Sequence, residues 1–186
     1  MVFVIKIIIN LNMKYFILLL LLIFFNLSAN SAIITGGVEY SVQEARDSVA
    51  NSVLEPVSKD VIRQNIFDVN RNENLSKLLV GQTSLKDRKL AYFSDGSYGV
   101  NYLDNPLVVF YYDESGFLIN TERRSSLEYP YKSYKYEPNG ELVNMSLRVS
   151  EGETFIFDTN EKLIAHWIGA NCYDENGNII MTRKLY

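Results

Sequence analysis

A short unit is written four times between Tyr112 and Ile180: an aromatic residue, an acid, turn-forming residues that usually end in Gly, and an aliphatic pair. It reads Tyr112-Asp113-Glu114-Ser115-Gly116 before Leu118-Ile119, and Tyr136-Glu137-Pro138-Asn139-Gly140 before Leu142-Val143. It recurs as Phe157-Asp158-Thr159-Asn160-Glu161 before Leu163-Ile164, and as Tyr173-Asp174-Glu175-Asn176-Gly177 before Ile179-Ile180. The acid and Pro138 suit a type I turn, and Gly supplies the left-handed residue that closes a three-residue hairpin with a bulge. Glu161 stands where the other units have Gly, which predicts that Asn160 takes the positive φ there and that this loop differs in type. Period-two alternation puts Tyr134 and Tyr136 opposite Lys135, and Phe155 and Phe157 opposite Ile156, as half-buried strands require.

Upstream, Asp95-Gly96 between Leu90-Ala91-Tyr92-Phe93 and Tyr98-Gly99-Val100 predicts a further hairpin with a two-residue I′ turn. Asn105-Pro106 interrupts the next strand, and Leu107 to Tyr112 resumes it. The count is eight to ten strands in an antiparallel meander. Its outer, solvated face is expected to carry Glu122, Arg123, Arg124, Lys132, Lys135 and Arg148. The aliphatic positions Leu118, Leu142, Leu163 and Ile179 are expected on one buried face with the aromatics that precede the turns.

Residues 39–80 change period. Ser41-Val42-Gln43-Glu44 is a capping box, after which Val42, Ala45, Val49 and Val53 recur at helical spacing until Pro56. A second helix is expected from Ser58, burying Val61, Ile62, Ile66 and Val69. Asn70 to Asn74 reads as a polar connector before a short third turn of helix at Leu75, Leu78 and Leu79. The fold class is therefore α+β, an antiparallel β-meander of degenerate hairpin repeats with two or three short N-terminal helices. The helices are expected to lie across one face of the sheet or at its open edge.

Unit spacings of 24, 21 and 16 residues describe a degenerate array. Over residues 108–182 the pattern resembles the second half of YD-type repeats and is similar to the short variant MORN-type repeats of bacterial envelope proteins. The resemblance implies a hairpin architecture and carries no catalytic residues with it. Four units are too few for the large shell that YD repeats build.

Residues 13–32 read Met13-Lys14-Tyr15, an apolar run from Phe16 to Phe25, and the small-residue stretch Asn26-Leu27-Ser28-Ala29-Asn30-Ser31-Ala32. That is the layout of a secretory signal. Met13 is an alternative start, and residues 2–27 retained as an anchor are an alternative fate; Asn10, Asn12 and Lys14 interrupt the longer stretch and favour cleavage. The domain plan is a signal over 1–32, a helical segment over 33–84 and the meander over 85–186. The leader holds two of the 18 basic residues and none of the 22 acids, so cleavage moves the net charge from −4 to −6. This balance, without basic clusters, argues against nucleic acid, and against the membrane beyond the signal itself. Cys172 is the single cysteine, so no intramolecular disulfide forms.

The catalytic inventory is short. His166 is the single histidine and lies in the apolar stretch Leu163–Ile168, so a core histidine is expected, not half of a dyad with Cys172. Asp113, Glu137, Asp158 and Asp174 lack calcium-loop spacing and are expected to stabilise their own turns. No catalytic residue, metal ligand or cofactor is assigned. The functional hint is aromatic: Tyr129, Tyr131, Tyr134 and Tyr136 fall in eight residues around Pro130, and they either pack across strands or, if Tyr129 and Tyr131 face out, offer a binding face. An exported, non-enzymatic module binding an envelope protein or glycan is the favoured reading. The alternative is a small periplasmic or secreted hydrolase whose carboxylates, such as Glu137 and Asp158, converge only in the fold.

Overall fold

The computed structural model describes residues 40–184, all within one compact unit spanning Thr35–Tyr186. The leader expected over 1–32, with Met13 and Ala32, lies outside the described residues.

Among the described residues three helices come first. α1 (Val42–Ala50) starts on the expected capping box: the Ser41 hydroxyl accepts from the Glu44 amide, and the Glu44 carboxylate accepts from the Ser41 amide at 2.8 Å. α2 (Lys59–Gln64) starts on Ser58, whose hydroxyl accepts from the Val61 amide. α3 (Arg71–Leu79) begins inside the stretch expected to be a connector. The reason is a buried polar knot. Asp68 accepts from the Asn74 side chain at 2.8 Å and from the Tyr98 hydroxyl at 2.7 Å, so the inward residue of this polar run is anchored through its Nδ2 and the run can turn helical. Ile66 and Val69, expected to be buried, are exposed, whereas Ala45, Val49, Ile62 and Leu78 reach the core.

Ten antiparallel strands follow: β1 (Arg88–Phe93), β2 (Tyr98–Tyr102), β3 (Val108–Tyr112), β4 (Leu118–Arg124), β5 (Tyr131–Tyr136), β6 (Leu142–Arg148), β7 (Glu153–Phe157), β8 (Leu163–Ile168), β9 (Asn171–Tyr173) and β10 (Ile179–Lys184). Each pairs with the next, and β1 pairs with β10 through Tyr92↔Lys184 and Phe93↔Arg183, so the meander closes into a barrel. Hydrogen bonds from the Ser94 amide to the Thr182 carbonyl and from the Thr182 amide to the Ser94 hydroxyl extend the seam. Closure removes the open edge at which the helices had a possible place. They lie on the barrel wall instead. α1 covers Tyr134, Tyr136, Met145, Leu147, Phe155 and Phe157, while α2 and α3 join Tyr98, Val100, Phe110, Tyr112 and Leu118.

The repeat governs one end of the barrel. In each unit the acid's amide donates to the carbonyl four residues on, and the αL residue donates back to the acid's carbonyl: Asp113/Phe117/Gly116, Glu137/Glu141/Gly140, Asp158/Lys162/Glu161 and Asp174/Asn178/Gly177. The third turn does not differ in type. Glu161 itself takes φ 64°, which corrects the expectation for Asn160: Asp158 Oδ1 accepts from the Asn160 and Lys162 amides and fixes the register. The Asp95-Gly96 turn is a fifth copy. Phe93 N donates to Ser97 O and Gly96 N to Phe93 O, a three-residue loop in place of the two-residue I′ turn expected.

Behind each of the four original turns the ladder slips by one residue. Tyr111 pairs with Asn120 and Tyr112 with Leu118, leaving Ile119 extra; Val143, Ile164 and Ile180 are left extra in the same way. The second aliphatic of every unit is thus a β-bulge residue. The first aliphatic stays opposite its aromatic, with Leu118 buried, Leu142 and Leu163 half-buried, and Ile179 exposed. That last position departs from the expected common buried face, because none of the helices among the described residues covers the end of the meander.

Candidate functional site

Alternation sends one set of side chains, rich in buried tyrosine and phenylalanine, outward beneath the helices and a second, more polar set inward. The inward set meets in a cavity of about 340 Å³. It is lined from nine of the ten strands: Phe93, Tyr111, Glu122, Ser133, Lys135, Asn144, Ser146, Arg148, Thr154, Ile156, Ala165, Trp167, Cys172, Met181 and Arg183 among them. The tenth strand contributes space. A Cβ on Gly99 would stand 3.3 Å from the Tyr111 ring, so glycine lets that ring fold over β2. Phe93 then contacts Tyr111 at 6.0 Å and Trp167 at 6.2 Å between ring centroids, linking β1, β3 and β8. The bulge residues Ile119, Ile164 and Ile180 line the mouth at the turn end and are partly exposed there.

The wall is charged. Glu122 accepts from the Tyr111 hydroxyl at 2.7 Å and from Arg124 Nε at 3.0 Å. Burial alone would raise the Glu122 carboxyl, but Arg124, the Tyr111 hydroxyl and Lys135 outweigh it and hold the group below its ordinary value. Burial pushes the Tyr111 phenol well up and the Lys135 ammonium down. Lys135 Nζ lies 4.2 Å from the centroid of the Tyr111 ring. Arg124 and Arg148 approach Tyr131, and Arg183 lies 4.6 Å over Trp167. The Ser133 and Ser146 hydroxyls bond each other at 2.6 Å.

Four of the charged residues expected on a solvated outer face, Glu122, Arg124, Lys135 and Arg148, are therefore on the inner side, while Lys132 faces outward and bonds the Ser52 hydroxyl. Alternation separates the two faces of a strand; closure and the helix cover decide which of them is concave.

The four tyrosines singled out by sequence are divided. Tyr134 and Tyr136 lie buried under α1 and the linker that follows it: the Tyr134 hydroxyl donates to the Val49 and Ser52 carbonyls, and that of Tyr136 to Leu54. Tyr131 is buried on the lumen side, next to the Arg148 guanidinium. Tyr129 is 46% exposed and stacks on Tyr131 at 5.5 Å. His166 faces outward, stacked on Phe155 at 4.2 Å with Nε2 3.1 Å from Glu153, whereas Cys172 pairs with Trp167 on the lumen side, so the two do not form a dyad. Among the described residues no group of three His, Cys, Asp or Glu side chains is placed to hold a metal. The lumen residues escaped sequence reading because each strand supplies only one to three of them. The available signal was the recurrence of charge at inward parity: Glu122 and Arg124 on β4, Lys135 on β5, Arg148 on β6 and Arg183 on β10.

Comparison with protein-family models, with curated proteins and with solved structures finds no match to this chain. No helix among the described residues is long and apolar enough to cross a membrane.

Proposed function

We propose that this chain is an exported, non-enzymatic binding module that holds a small molecule in the lumen of its barrel. The observation that carries this reading is the convergence of side chains from nine strands on one cavity with an aliphatic mouth. A volume of about 340 Å³ falls in the range of small-molecule sites, and a few polar groups set among aromatic walls are their usual furnishing. The signal pattern over 13–32 supports export. Tyr129, the exposed member of the tyrosine group, remains available to an envelope protein or glycan. No observation favours the hydrolase alternative, since Glu122 is engaged by Arg124 and Tyr111, and Asp158 holds its own turn.

Trp167 is the single tryptophan and lines the cavity, so its emission reports lumen occupancy. A fragment library screened by that emission should give ligands that compete with one another and are lost in Ala165→Phe, which fills the lumen, while its melt stays cooperative. Hits indifferent to the substitution would place binding elsewhere and sink the reading.

A further inference from the structure

We infer that the ligand of the lumen is an anion with an apolar body, its charge held by Arg148 and Arg183 and its body lying toward Phe93 and Trp167. The inference rests on lumen binding and adds the chemical class. Arg148 Nη2 and Arg183 Nη2 donate to the same acceptor, the Glu151 carbonyl, at 3.0 and 3.3 Å. Arg183 also donates to the Gly169 carbonyl, and Arg148 to that of Ser150. Two guanidiniums are thus drawn together by neutral carbonyls, and neither is within ion-pair distance of a carboxylate among the described residues. Burial, and next the neighbouring Arg148, make the Arg183 charge harder to keep.

The balance of the lining points the same way. Against Lys135, Arg148 and Arg183 stand Glu122, already taken by Arg124, and Asp95, an exposed turn residue bonded to Ser97. A chain of net charge −4 has gathered a positive surplus in this nine-strand cavity, against its overall composition. Half-buried like charges of this kind are stabilised by an anion, and paired guanidiniums match the oxygens of a carboxylate, sulfonate or phosphate. Phe93, Ile156, Trp167 and Met181 give the rest of the molecule an apolar surface.

The test compares two dyes with the same ring body, 8-anilinonaphthalene-1-sulfonate and the neutral N-phenyl-1-naphthylamine, by dye emission and Trp167 quenching at low salt. The sulfonate should bind about tenfold tighter or more, and Arg183→Met should remove that advantage while changing the neutral dye's affinity by less than about twofold. Displacement by octanoate and by octyl phosphate then distinguishes a carboxylate from a phosphate ligand. Equal affinities for the two dyes, both quenching Trp167, would overturn the anionic class and leave lumen binding standing. Failure of both to quench Trp167 would overturn both readings. Because the dye comparison uses the unaltered protein, a variant that misfolds leaves the inference exposed to refutation.

Discussion

Four residues occupy the same place in the repeat, yet the fold buries them unequally, and that inequality can be measured. Leu118 is 6% exposed in the cluster that joins β2, β3 and β4 to α2 and α3, whereas Ile179 is 56% exposed at the end of the meander. Truncating Leu118 to Ala removes apolar surface that is fully out of water and leaves a void between the barrel wall and Ile62 and Leu78, whose helices are held at several other points. Such changes cost about 2 to 5 kcal/mol, and the rigid surround argues for the middle of that range, about 3. Ile179→Ala removes a side chain already more than half in water and opens no cavity, so its cost should stay below about 1 kcal/mol. Leu142→Ala and Leu163→Ala, half-buried under the α1 cluster, should fall between. At roughly 2 to 4 °C per kcal/mol for a domain of this size, Leu118→Ala should lower the Tm by about 6 to 12 °C and Ile179→Ala by less than about 4 °C. Urea titrations of all four at unchanged m-value provide the free energies directly. Equal costs across the series would show that the helices do not cover the wall as described.

Glu161 holds φ 64° where the other turns have Gly, so Glu161→Gly should relieve backbone strain of about 1 to 2 kcal/mol, less about 0.5 to 1 for the freer unfolded chain; a urea midpoint that falls instead of rising would contradict this. Glu122 is held below its ordinary value of 4.5 in the fold, so it contributes stability that is present above 4.5 and lost as pH falls through the lower folded value. The acid limb of the stability curve should accordingly flatten in Glu122→Gln; an unchanged slope would mean that the carboxylate is not engaged by Arg124 and Tyr111. N-terminal sequencing of exported material should give a start within a few residues of Ala32, and a start at Met1 or Met13 in a membrane fraction would refute cleavage.

Local chemistry was legible in the sequence because the turns are set by neighbours in the chain. Asp113, Asp158 and Asp174 hold amides two to four residues on, and the capping box at Ser41 needs only Glu44. Long-range effects were not. Nothing within four residues of Asn74 reveals that Asp68, itself held by the Tyr98 hydroxyl, will accept from its side chain, so a helical start looked like a connector. The Asp95-Gly96 hairpin was expected, but not its kinship with the repeat, because Phe93, not an acid, occupies the first position, although its hydrogen bonds match the other four. Most consequentially, alternation placed Tyr134 and Lys135 on opposite faces but could not say which face would be inside. That depends on the Phe93↔Arg183 seam, between residues 90 positions apart.

Inversion of the faces has an energetic reason that ties fold to function. The aromatic face is the one able to make a dry core, and short amphipathic helices carrying Ala45, Val49, Ile62 and Leu78 can complete that core only from outside a barrel of this width. The opposite face is then enclosed, and its guanidiniums and ammonium must find partners there, since burying an unpaired charge costs several kcal/mol. Glu122 and the carbonyls of Ser150, Glu151 and Gly169 meet part of that demand. A single cysteine excludes an intramolecular disulfide, and the anion proposed above would add stability by binding to the folded state. At a ligand concentration 100 times its dissociation constant the gain is about 2.7 kcal/mol, comparable to the loss expected for Leu118→Ala. A lumen ligand should therefore restore most of the melting temperature lost in that variant, although Leu118 lies on the outer face and touches no part of the cavity.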